Sequence, residues 1–308
     1  MNKERFMKNL EVPDHKVDVV LDTDTFNEID DLYAIAYLIG NSDKMNTKAI
    51  YAAPFDNPHS VSPGDGMEKS YQEILRLLTV MKKDEMKEYA FRGSDRWMED
   101  ENTPVDSPAA RHLAALAMNY TPENPLYVIV IGATTNIGSA LLMNPEIAER
   151  IVIVFQGMNT LAWPNPWEYN MCQDMHASRV MFECGAPMVI LPAMGMSSQF
   201  TISGAELLYW LKGKNAICDY LVDFTLHEIE FHDDDHDINK PWSRIIWDVT
   251  SIAWVAGLVH ESYIIPTPIP ESDKPYGYDE TRRPARYVYN VQRDIIVNDL
   301  FDRLIAMQ

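Results

Sequence analysis

VDVVLDTDTFNEIDDLYAIAYLIG, residues Val17 to Gly40, runs from an apolar segment straight into five acids, Asp22, Asp24, Glu28, Asp30 and Asp31, and out again into a helical pattern. The first segment reads as a buried strand and the last as a helix whose first turn holds Asp30 and Asp31, where free N–H groups and the helix dipole favour negative charge. Capping accounts for one or two acids. Five carboxylates beside a low-dielectric sheet edge must be protonated or share a cation, and a hard cation with oxygen ligands, Ca²⁺ or Mg²⁺, is the natural partner. A solvated strand-to-helix loop with incidental acids is the plain alternative, and it leaves the D-x-D-x5-D-D spacing after a buried strand unexplained.

Outward from this stretch the pattern repeats. PLYVIVIGA (Pro125–Ala133) and RIVIVFQG (Arg150–Gly157) have the continuous apolar character of parallel strands buried on both faces. TNIGSALLMNPEIAERI between them reads as a helix region in which Asn144 can cap and Pro145 can occupy a first turn. TKAIYAAPF and APMVILPA add strands, while GMEKSYQEILRLLTVMKK and CQDMHASRVMFECG add helices. Alternation of this kind predicts an α/β fold: one large domain over residues 1–308 with a mostly parallel, Rossmann-like sheet flanked by helices and a mostly helical C-terminal part. RRPARYVYNVQRDIIVNDLFDRLIAM reads as a closing strand and helix, and Pro266–Pro284 as an ordered loop. The functional site is expected outside the carboxyl ends of the strands, where Asp22, Asp24, Thr134, Thr135, Gln156 and Asn159 fall.

With 308 residues and 46% hydrophobic composition, the chain can bury a core without disulfides. Cys172, Cys184 and Cys218 are an odd set without C-x-x-C spacing, which points to packing thiols in a reducing compartment. The opening MNKERFMKNLEVPDHK has no apolar run of secretory type and no segment approaches a membrane span, so the expected location is the cytoplasm with no membrane partner. A net charge of −20 argues against nucleic acid as a partner, since that affinity rests on Lys and Arg neutralising phosphates. The same excess of acid suits a bound cation.

VVLDTDTFNEIDDLYAIAYLI resembles the aspartate signature of the nucleoside hydrolases, calcium enzymes that cleave the N-glycosidic bond of ribonucleosides. Three further segments carry the likeness in order: PLYVIVIGATTNIGSALLMNPEIAERIVIVFQGM is similar to the family's strand-helix-strand with its TN turn, WEYNMCQDMHASRVMFECG to its ribose-site segment, and IIWDVTSIAWV to its late aspartate helix. The resemblance implies calcium held by Asp24, Asp31, the backbone carbonyl of Thr135 and Asp248. It implies Asp24 as the group that activates water, and Asp30, Glu168 and Asn170 as ribose ligands. Asp22 is expected to orient its neighbours from behind. The implied substrate is a small ribonucleoside, and relatives assemble as homodimers or homotetramers.

The chain also departs from the family pattern. Five residues, TFNEI, separate the acid pairs where the usual signature has three, which brings Asn27 and Glu28 toward the pocket as candidates for specificity. Many relatives place a His just before the late aspartate to protonate the departing base; here Trp247 stands there, and an indole N–H is no useful acid at neutral pH. Trp247, Trp163, Trp167 or Phe26 stacking on the base would favour purines. The family's Asn upstream of the ribose segment has Asn159 and Asn165 as candidates.

FHDDDHDINKPW (Phe231–Trp242) reads as a solvated loop, with a second reading as a lid that supplies His232 or His236 as the acid. Two rival functions stand beside the hydrolase. One is a calcium-dependent nucleoside or ribose binder without turnover. The other is a metal-dependent phosphohydrolase of the haloacid-dehalogenase type, whose motif wants Thr or Val where this chain has Phe26.

Overall fold

The apolar run of the opening stretch forms strand β1 (Val17–Thr23), buried at every position except Asp18. The computed structural model describes residues 1–231, 237–271 and 276–307. The strands that follow are β2 (Met45–Ala52), β3 (Ala90–Arg92), β4 (Leu126–Val130), β5 (Ile151–Gln156), β6 (Met188–Leu191), β7 (Thr201–Ser203), β8 (Ser243–Ile245), β9 (Ser262–Pro266) and β10 (Pro284–Val288). Eight of them make one sheet in the order β3-β2-β1-β4-β5-β6-β10-β9. Every neighbouring pair is parallel except β10 with β9.

From β1 the chain winds outward to β2 and β3, then returns to the centre and winds the other way through β4, β5 and β6. The reversal falls between β1 and β4, and the crevice outside their carboxyl ends is where such sheets bind ligands. Residues alternate across the sheet. Val19 and Leu21 pack under helices Asp30–Gly40, Val249–Val255 and Arg293–Ala306, and Val20, Val128 and Val130 pack under Pro108–Leu116, Thr135–Met143 and Met175–Glu183. The mostly parallel sheet flanked by helices is thus the architecture that the sequence pattern predicts.

Three local expectations are corrected. Asn144 makes no side-chain cap; it is the joint between helix Thr135–Met143 and the 3₁₀ turn Pro145–Glu149, and its amide donates to the Ala114 carbonyl (3.3 Å). The C-terminal third is less helical than its apolar runs suggest, because β7 and β8 pair into a small antiparallel sheet and β9 and β10 extend the main one. The helical run from Gly204 passes through a π segment, Leu207–Leu211, and breaks at Gly213 (φ +78°) before helix Ala216–Phe231. The three cysteines are free thiols, each pushed up to about 11 mainly by burial. Among the described residues no helix is long and apolar enough to cross a membrane.

Candidate active site

Two helices start at the crevice, and each starts with acid. Helix Asp30–Gly40 follows Ile29, which gives no side-chain cap, so Asp30 and Asp31 sit in a first turn whose N–H groups offset part of their charge. Asp248 precedes helix Val249–Val255 without capping it through its side chain, and its backbone N–H donates to Asp30 Oδ2 (3.4 Å). One carboxylate oxygen from each of Asp30, Asp31 and Asp248 lies within 4.8 Å of the others, all three residues being buried. Asp24, just past β1, lines the same cavity, and its buried Oδ2 has no hydrogen-bond partner.

Burial dominates the electrostatics. It pushes Asp30 up to about 7, with help from the neighbouring Glu28 charge. It holds Asp24, Asp31 and Asp248 well above the usual carboxylate range, and the mutual repulsion of these acids adds to the effect. Hydroxyls of Thr23 and Thr25 sit behind Asp31: Thr23 Oγ1 donates to it and contacts Thr25 Oγ1 (3.0 Å). Asp22, pushed up to about 7 by burial, accepts from Asn136 Nδ2 (2.8 Å) and so ties β1 to helix Thr135–Met143. A set of hard oxygen donors with an orphaned buried oxygen fits a hard divalent cation.

The cavity, about 470 Å³, opens from this cluster toward Glu168, Asn170 and Gln156. Glu168 is the N-cap of helix Tyr169–Gln173: Oε1 accepts from Asn170 N (2.9 Å), and Oε2 accepts from Met171 N and Met158 N (both 2.9 Å). Burial raises its pKa while these backbone donors oppose the shift. The Asn170 amide donates to the carbonyls of Ile131 and Gln156 and to Gln156 Oε1, bonds that leave Oδ1 uncommitted. Thr135 is buried at the start of its helix and is absent from the cavity lining; its hydroxyl donates to Asp174 (2.7 Å).

The sequence profile described as inosine-uridine preferring nucleoside hydrolase matches residues 19–287. The chain belongs to this family. RihA, a pyrimidine-specific ribonucleoside hydrolase of Salmonella enteritidis, is 22% identical over 213 residues, 61% of this chain and 66% of that protein, so the chain spans about two thirds of this relative's length. Among solved structures, a plant nucleoside hydrolase, PpNRh1, superposes with a TM-score of 0.72 at 18% identity, covering 94% of this chain and 99% of that one. A purine-preferring ribonucleoside hydrolase from Gardnerella vaginalis gives 0.69 at 18% identity, covering 94% and 98%. At these identities the structural likeness speaks for the fold. Family membership displaces the phosphohydrolase reading.

The loop that departs from the nucleoside hydrolase pattern reaches the cavity. Asn27 and Glu28, from the lengthened loop, both line it. Asn57, which sequence reasoning did not single out, donates from Nδ2 to Asn27 Oδ1 (2.7 Å) and fastens that loop to the segment after β2. Trp163, Trp167 and half-buried Trp247 line the cavity, as do Tyr169 and Met194. Phe26 is absent from the lining and packs edge-on against His59. Asn159 and Asn165 both reach the cavity, but the Asn159 amide is occupied in a loop clasp, donating to the carbonyls of Asn165 (2.9 Å) and Trp167 (2.8 Å). His232 and His236 lie outside the described residues.

Proposed function

We propose that the protein is a ribonucleoside hydrolase that splits the N-glycosidic bond to free base and ribose. The observation that carries this reading is the convergence of Asp24, Asp30, Asp31 and Asp248 on one cavity at the switch point of the sheet, in a chain of this family. Asp24, Asp31 and Asp248 would hold a divalent cation, Ca²⁺ on this reading; the Thr135 carbonyl, the fourth donor that the resemblance implies, does not line the cavity. Asp30, grouped with Asp31 and Asp248 by oxygens within 4.8 Å of one another, offers a further oxygen to the same spot. When bound, the cation supplies orientation and acidification of a water and an anchor for ribose hydroxyls.

The chain's own residues do the rest. Asp24 accepts the proton of the attacking water through its uncommitted Oδ2. Asp30, Glu168 and Asn170 hold the ribose hydroxyls and so fix the anomeric carbon. The buried acids stabilise the positive charge that grows on the sugar as the bond to the base breaks. Trp247, Trp163 and Trp167 form an aromatic wall for the base, which supports a preference for the larger purines among neutral nucleosides. Free thiols are consistent with a cytoplasmic location. A homodimeric or homotetrameric state is inferred from the family resemblance.

The test is ribose release from a panel of ribonucleosides, with and without a chelator. Release that the chelator abolishes, and that Asp24→Asn lowers by about 10²- to 10⁴-fold, is the expected result. Tight, chelator-sensitive nucleoside binding without any ribose would instead establish a binder.

A further inference from the structure

Six carboxylates line the cavity, from Asp24, Glu28, Asp30, Asp31, Glu168 and Asp248, and among the described lining residues there is no Lys, Arg, His or Cys. Nothing described there would bind a phosphate, and no described cationic side chain is placed to hand a proton to a departing base. The Tyr169 hydroxyl is turned to the Asp56 carbonyl (3.3 Å), and burial and the charge of Asp24 raise its pKa. At the mouth the indoles of Trp163 and Trp167 are 38% and 50% exposed, with Trp247 beside the acids. An acidic cavity walled by aromatic faces, with no cationic side chain among its described lining residues, is complementary to a flat, positively charged ring.

We propose that the preferred substrates are ribonucleosides whose base already carries a fixed positive charge, N-ribosylpyridinium or N7-alkylpurine ribosides. The proposal rests on the hydrolase reading above and narrows its substrate class. In the reaction the water oxygen forms the new bond to C1′, and its proton passes to Asp24 and then to solvent. The C1′–N bond breaks with its electron pair going to the ring nitrogen. The base leaves neutral, so no proton donor is required and Trp247 is no handicap. Before bond cleavage the cationic ring lies on the indoles, where the cation–π attraction supplies affinity that a neutral base does not receive.

Two measurements on the full-length, metal-supplied protein test this. The first compares ribose release from N-ribosylnicotinamide with release from inosine and uridine at neutral pH. The cation should show kcat/KM at least about tenfold higher. The second titrates 1-methylnicotinamide and uncharged nicotinamide by calorimetry at matched ionic strength. The methylated cation should bind at least about tenfold tighter, an advantage that Trp163→Leu with Trp167→Leu should largely remove. Inosine or uridine turned over as fast as the cation, or equal binding of the two nicotinamides, overturns the proposal and leaves the hydrolase standing. No ribose from any nucleoside overturns both.

Discussion

Asp24 owes its position to a residue that has no side chain. Gly132 follows β4 and faces the end of β1 so closely that a Cβ there would lie 3.0 Å from Asp24 N, 3.2 Å from Asp24 Oδ1 and 2.9 Å from Ala53 Cβ. Two of those neighbours belong to Asp24 itself, so a methyl group would move the proposed base. Gly132→Ala should therefore lower kcat/KM for ribose release by roughly 100-fold, the scale of a displacement near 1 Å at a reacting group. Its circular dichroism spectrum should match that of the parent protein. Activity within a few-fold of the parent would show that Asp24 tolerates the shift and is not held to a reacting position.

Among the elements, the joint at Asp174 does most to assemble the site. Its Oδ1 caps helix Met175–Glu183 by accepting from Ala177 N (3.0 Å). Its Oδ2 accepts from Met98 N (2.9 Å) and Thr135 Oγ1 (2.7 Å), so one buried side chain joins two helix starts and the loop after β3. Asp174→Ala removes a cap and strands two buried donors, which should cost about 2–4 kcal/mol in urea unfolding. A loss below about 0.5 kcal/mol would mean that water replaces those bonds. The same joint marks a limit of sequence reading. CQDMHASRVMFECG reads as one helix by apolar spacing, and the break at Asp174 shows only when its partners Met98 and Thr135, distant in the chain, are in place. Asp24, Asp30 and Asp31 were legible because acids interrupt an apolar strand-helix run, a conflict visible locally. Glu168, Asn170 and Asp248 were legible through family resemblance, Asn27 and Trp247 through departures from its pattern, and all five share the cavity. Asn57, Tyr169 and Met194 were not, since ordinary loop residues gain a role only from which strand end the loop leaves.

At the scale of the molecule, the acid cluster makes stability depend on pH and on metal together. Asp22 and Asp30 are pushed up to about 7 from an ordinary 3.8, and Asp24, Asp31 and Asp248 move the same way. Between those limits the folded chain binds more protons than the unfolded one, so the contribution is fully present below about 3.8 and is lost as pH rises through about 7. Chelator-treated protein should accordingly melt at a progressively lower temperature as pH rises across this window. A divalent cation acts in the opposite sense, displacing those protons and binding only the folded site. Near 100 times its Kd it adds about 2.7 kcal/mol, which for a chain of this size is roughly 4 °C in Tm. The increment should be largest above about pH 7 and should nearly vanish near pH 4, where the carboxylates hold their own protons. Monovalent salt at matched ionic strength separates this from the general repulsion of a −20 chain, which it screens equally well. If the salt restores Tm as fully as calcium does, the acids form no metal site.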